Sequence, residues 1–184
     1  AETAAVDRPI VLVGLMGAGK TTVGRRLAAR LGLPFVDADA EIEKAAGRTI
    51  SEIFEDFGEK EFRKGERRVI ARLLRGKPIV LATGGGAFLD AKTRDRVRRK
   101  AISVWLKADV KLLAKRTARR DTRPLLRSGD TVSILEKLAA ERYPVYAEAD
   151  VTVESGSGPH EKVVSRILDA LEGLATEKEA NKKE

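Results

Sequence analysis

The sequence has no cysteine, one methionine, one tryptophan and one histidine, and no apolar run long enough to span a bilayer. Without cysteine there are no disulfides, zinc–thiolate sites or thiol nucleophiles, which fits a reducing compartment. The segment Ala1 to Pro9 lacks the basic flank and apolar core of a secretory signal, so a cytoplasmic, non-membrane protein is expected. Aromatics are sparse: five phenylalanines, two tyrosines and one tryptophan. None interleaves with the densest basic stretch, Arg94 to Lys100, as base-stacking platforms would. That stretch reads as the solvated face of a helix with Val97 as its apolar position. No nucleic-acid partner is expected, and a small anionic substrate accounts for the net charge of +8 as well. A chain of 184 residues is long enough for one domain with a real core.

The strongest positive signal is Gly14-Leu15-Met16-Gly17-Ala18-Gly19-Lys20-Thr21, a glycine, four residues, then Gly-Lys-Thr. The apolar run Ile10–Val13 before it reads as a buried strand. The segment Thr22 to Leu31 after it reads as a helix with Val23, Leu27 and Leu31 on one face. Glycines let the backbone curl so that its N–H groups face phosphate oxygens, and the helix adds its positive end. Gly17, Ala18, Gly19, Lys20, Thr21 and Thr22 are the expected nucleotide-binding residues. Lys20 reaches the β- and γ-phosphates, and Thr21 is a Mg2+ ligand.

Five apolar runs read as strands: Ile10–Val13, Pro34–Val36, Ile79–Ala82, Ile102–Leu106 and Val151–Val153. Helical patterns separate them, so the expected architecture is α/β with a parallel sheet covered on both faces. Ligands then sit at the carboxyl ends of strands, near Gly14, Asp37, Thr83 and Leu106. Two intervals exceed simple crossovers. Asp39 to Lys77 is a helical insert with Ile50, Ile53, Phe54, Phe57 and Phe62 as anchors and Gly47 and Gly58 as punctuation. Arg116 to Ser133 is polar and reads as a linker, a lid or a basic patch, the lid being the natural reading beside a γ-phosphate. The charged end, from Glu177, reads as a disordered tail.

Asp37 and Asp39 follow the second strand, with alternate residues facing one way. Between them they can hold Mg2+ through oxygen and orient an acceptor hydroxyl, although Asp39 is also a natural helix N-cap. The third strand ends in Thr83 rather than an acid, which moves the metal burden to Asp37. Gly84-Gly85-Gly86 then allows close backbone approach of a ligand; a loose turn is the alternative. Arg63, Arg116, Arg123 and Arg142 can form planar pairs with carboxylate or phosphate, but composition alone does not distinguish them from solvated charges. His160 follows Pro159 at an expected helix start and reads as a surface residue.

From about Pro9 to about Leu171 the chain resembles the shikimate kinases. The carrying motifs are the phosphate loop, Asp-Ala-Asp at 37–39, Glu-Phe-Arg at 61–63, Gly-Gly-Gly at 84–86, Arg-Pro-Leu-Leu at 123–126 and Arg-Tyr-Pro-Val-Tyr at 142–146. The loop alone is shared by many enzymes; the ordered set is specific. The resemblance implies a three-layer α/β/α adenylate-kinase-like core with sheet order 2-3-1-4-5. It implies one domain over 9–175, with a substrate-binding insert at about 38–76, a mobile lid at about 116–133 and a disordered tail over 176–184. It implies ATP-dependent phosphorylation of the 3-hydroxyl of shikimate, with Mg2+. Shikimate and ATP are the expected partners, and a monomer is expected.

The same resemblance assigns roles. Lys20, Asp39 and Arg123 are catalytic: Asp39 serves the substrate hydroxyl, and Arg123 reaches the transferring phosphate from the lid. Thr21 and Asp37 serve the metal. Arg63 and Arg142 grip the shikimate carboxylate, Gly85 donates a backbone N–H between Gly84 and Gly86, and Phe54 and Phe62 form apolar walls. Arg116 packs over the adenine. Many relatives carry an arginine near the adenine, shortly before the proline matching Pro159; here Ser155-Gly156-Ser157-Gly158 stands instead, so adenine contacts there are from the backbone or absent. The rival readings are a gluconate or nucleoside monophosphate kinase of the same core, and a non-catalytic shikimate- or nucleotide-binding regulator.

Overall fold

The computed structural model describes residues 6–118, 131–156 and 158–183. The elements run β1 (Ile10–Val13), α1 (Lys20–Leu31), β2 (Phe35–Asp37), α2 (Ala38–Ala46), α3 (Ile50–Leu73) and β3 (Val80–Ala82). A 3-10 turn (Ala87–Leu89), α4 (Ala91–Lys100), β4 (Ile102–Lys107), α5 (Val110–Ala118), α6 (Thr131–Tyr146), β5 (Val151–Glu154) and α7 (His160–Asn181) follow. All strand pairs are parallel, in the order β2-β3-β1-β4-β5. β1 and β3 are continuous apolar runs, and β4 is buried from Ser103 to Leu106, because helices cover both faces. Edge strand β5 instead alternates, with Val151 and Val153 buried and Thr152 and Glu154 exposed. Helix α7 turns Val163, Val164, Ile167, Leu168 and Leu171 inward at helical spacing, and they join one core with Leu12, Leu27, Leu81 and Leu106.

The insert is built differently. α2 and α3 enclose a small separate cluster of Ile42, Ile53, Phe62 and Val69. Thr49 caps α3 in a reciprocal capping box with Glu52. Gly58, at φ 82° and ψ 171°, breaks α3 in its middle, a backbone state that a side chain resists.

Several expectations shift. The N-cap of α2 is Asp37, not Asp39: its Oδ1 accepts from the backbone N–H groups of Asp39 at 2.9 Å and Ala40 at 3.3 Å. A residue that ends a strand and opens a helix can cap without a linker, which moves Asp39 into the first turn. The lid bounds fall inside helices, since Arg116 to Ala118 close α5 and Thr131 to Ser133 open α6. The charged end continues α7 to Asn181 as an exposed helix. Alanine, glutamate and lysine are good helix formers whether or not they bury a face. The basic stretch on α4 behaves as expected, burying Thr93 and Val97 and leaving Arg98 and Arg99 exposed in ion pairs with Asp95.

Candidate active site

The phosphate loop leaves β1 at Gly14 and is braced from beneath by buried Leu15, Met16 and Ala18. Gly14 passes so close to β4 that a Cβ there would lie 2.8 Å from the Leu106 carbonyl oxygen. Lys20, the first residue of α1, folds its side chain back across the loop, its Nζ donating to the carbonyls of Gly14 at 2.5 Å and Leu15 at 3.1 Å. Its ammonium therefore lies over the loop it belongs to. Thr21 and Thr22 follow in the first turn of α1. Arg116 reaches back from α5, donating through Nη1 to Gly17 O at 3.0 Å and through Nη2 to Gly156 O at 2.9 Å. It thereby closes the side of the site between the loop and the segment before α7.

The opposite wall is the turn after β3. Thr83 donates its hydroxyl to Leu12 O at 2.8 Å, fixing the start of the turn in the sheet. Each of the next three glycines faces one charged side chain. A Cβ on Gly84 would lie 2.9 Å from Asp39 Oδ1, and one on Gly85 would lie 2.8 Å from Arg142 Nη1. One on Gly86 would overlap the Arg63 guanidinium, 2.8 Å from its Cζ. The turn is glycine-only because these side chains need the space. It brings Asp39 from α2, Arg63 from α3 and Arg142 from α6 to one wall.

Both arginines are held. Arg63 Nη1 donates to Glu66 at 2.9 Å, and the Glu66 side chain is only 4% exposed. Burial raises the Glu66 pKa above the ordinary carboxylate range, against the opposing charge of Arg63. Arg142 is buried, and its guanidinium hydrogen-bonds Tyr146, one turn on, whose hydroxyl donates to Gly85 O. Its Nε has no partner among the described residues. A buried donor of this kind is costly unless a ligand supplies an acceptor. Phe54 and Phe62 stack with centroids 4.7 Å apart beside Arg63, Phe62 buried and Phe54 partly exposed.

Sequence reasoning missed Glu66, Tyr146, Ser155 and His160. Glu66 and Tyr146 stand at i+3 and i+4 from the chosen arginines, a spacing that was available. Ser155 Oγ donates to Ala18 O at 2.9 Å, and His160 packs half-buried against Gly19 rather than lying on the surface. Neither contact has a local signal. Arg123 lies outside the described residues.

The shikimate kinase family model matches residues 16–172. The chain belongs to the shikimate kinase family. The shikimate kinase of Caulobacter vibrioides (strain NA1000 / CB15N) is 64% identical over 164 residues, 89% of this chain and 82% of the relative. That of Rhodopseudomonas palustris is 60% identical over 165 residues, 90% of this chain and 81% of the relative. A solved shikimate kinase from Acinetobacter baumannii, in complex with shikimate, superposes with a TM-score of 0.87 at 42% identity, covering 92% of this chain and 96% of that one. The fold of this shikimate kinase is thus the one its sequence implied, including the strand order.

The donors assigned to a metal suit Mg2+, which takes oxygen ligands and keeps several waters. Thr21 offers a hydroxyl at the start of α1. Asp37 spends Oδ1 on its cap, while Oδ2 accepts from no described residue.

Proposed function

We infer that this chain transfers the γ-phosphoryl group of ATP to the 3-hydroxyl of shikimate, giving 3-phosphoshikimate and ADP, and that the residues named above do the work. The observation that carries the reading is the glycine turn with one carboxylate and two guanidiniums packed against it. Two arginines, one with an unpaired buried Nε, suit a substrate carboxylate, and Asp39 lies on the same wall. With the carboxylate gripped by Arg63 and Arg142, a ring hydroxyl is offered to Asp39. Asp39 orients that hydroxyl and accepts its proton as the oxygen bonds the γ-phosphorus and the bond to the β–γ bridging oxygen breaks. Lys20 and the loop N–H groups hold the phosphates, and Arg123 meets the transferring group. Thr21 and Asp37 would hold Mg2+, which when bound would supply positive charge to the phosphates. Most of the rate gain on this scheme comes from positioning and fixed positive charge. No described helix is long and apolar enough to cross a membrane, in keeping with small dissolved substrates.

A coupled ADP-release assay with shikimate, and with quinate and gluconate as controls, tests this. Shikimate-dependent release with little from gluconate is expected. Absence of release with shikimate, or equal release with gluconate, overturns it.

A further inference from the structure

Three consecutive residues of the phosphate loop are each tied to the segment entering α7. Gly17 O and Gly156 O share the Arg116 guanidinium, and Ala18 O takes the Ser155 hydroxyl. Gly19, the third, faces His160: a Cβ on Gly19 would lie 3.7 Å from the ring Cε1 and 3.9 Å from Nδ1. The first two contacts explain themselves as hydrogen bonds. The third does not, because the half-buried imidazole makes no hydrogen bond with a described residue. Its charged neighbours are Arg116 on α5 and Arg26 on α1. The adjacent carboxylate, Glu161, is engaged by Arg26 at 3.0 Å and Arg30 at 3.5 Å. A histidine set among cations, with both ring nitrogens open, is poorly placed as a structural residue.

We propose that His160 contacts the bound nucleotide, its imidazole hydrogen-bonding the phosphate–ribose portion beside Gly19. The inference rests on the nucleotide reading of the loop. It deepens that reading beside the stretch where sequence alone left backbone contacts or none. Burial first, then the charges of Arg116 and Arg26, lowers the pKa of His160 below its ordinary value of 6.5. The free protein therefore presents a neutral ring, one N–H donor and one acceptor, near neutral pH. Nucleotide phosphates bring negative charge that offsets the arginines and favours the protonated ring. Binding thus raises the pKa of His160, and by linkage this residue's contribution to affinity grows as pH falls through that window.

His160 is the only histidine in the sequence, so in untagged protein its Cε1–H resonance reports this site alone. The resonance is titrated with and without saturating Mg·ADP, and ADP binding is followed on the same samples by calorimetry. A midpoint about one unit higher with ADP is expected, equivalent to about tenfold tighter binding of ADP by the protonated form. His160→Ala weakens ADP about fivefold, His160→Gln restores part of the loss, and shikimate affinity stays level in both. If ADP binds while the resonance and its midpoint do not move, or if His160→Ala binds ADP like the wild type, this inference alone fails. If ADP does not bind at all, the nucleotide reading of the loop fails with it.

Discussion

Glu66 holds Arg63 from one helical turn away, carboxylate to guanidinium at 2.9 Å, with the carboxylate almost sealed from water. The pair fixes Arg63 against Gly86, on the wall proposed to receive the substrate. Glu66→Gln keeps the shape but weakens the hold, and shikimate binding drops by about 1.5 kcal/mol, the lower end for a charged hydrogen bond. The same variant has a pH signature. Because the folded-state pKa of Glu66 is raised above 4.5, the folded protein holds this proton more tightly than the unfolded chain does. Its contribution to stability is therefore present in acid and fades as pH climbs from about 4.5 through the raised value. Urea midpoints across this range decline less steeply in Glu66→Gln than in wild type.

Arg63→Ala and Arg142→Ala each cost about 1.5–3 kcal/mol of shikimate affinity, read by calorimetry. The methyl ester of shikimate binds wild type poorly and loses little more in either variant. Equal losses for acid and ester in both variants would sink the carboxylate clamp.

Gly85→Ala sets a methyl 2.8 Å from Arg142 Nη1, and Arg142 is only 9% exposed, so it has little room to retreat. A tenfold or larger rise in the KM for shikimate is expected, about 1.4 kcal/mol, with ADP affinity unchanged. Gly173→Ala, on α7 where an added Cβ meets no described residue within 4 Å, is the control and stabilises the fold by about 0.5–1 kcal/mol. If both variants leave shikimate kinetics alone, the turn is not part of the substrate wall.

Asp39→Asn separates chemistry from capping, since Asp37 rather than Asp39 caps α2. Turnover falls by about 10²–10⁴-fold, the range for a lost general base, while thermal stability and ADP affinity barely move. Near-normal turnover would remove Asp39 from the reaction.

On the proposed mechanism Arg123→Ala lowers turnover more than shikimate affinity, because a cation that meets the transferring group would matter most as the phosphoryl group transfers. Single-turnover kinetics beside shikimate titrations measure the two. A loss confined to shikimate binding would reassign the residue to substrate capture.

The sheet was legible because a strand buried on both faces has to be apolar throughout, as Ile10–Val13 and Val80–Ala82 are. The phosphate loop was legible because glycine spacing, lysine and threonine are all fixed by one ligand. Asp37 and Asp39 were harder to tell apart, since either can cap, and only the register of β2 into α2 decides. Glu66 was overlooked among many glutamates, its importance arising from burial rather than type. The contact between His160 and Gly19 joins distant parts of the chain, and no periodicity or motif could announce it.

The separate cluster of Ile42, Ile53, Phe62 and Val69 has an evolutionary consequence. Asp39 and Arg63, two members of the proposed acceptor wall, are carried on an annex with its own interior, while Gly84, Gly85, Gly86, Arg142 and the phosphate loop belong to the main body. Mutations that reshape the annex leave the foundations of the phosphate loop standing. A change of acceptor that needs only the annex side of the wall to be reshaped can therefore leave the donor side in place, whereas one that needs the glycine turn or Arg142 altered reaches into the main body.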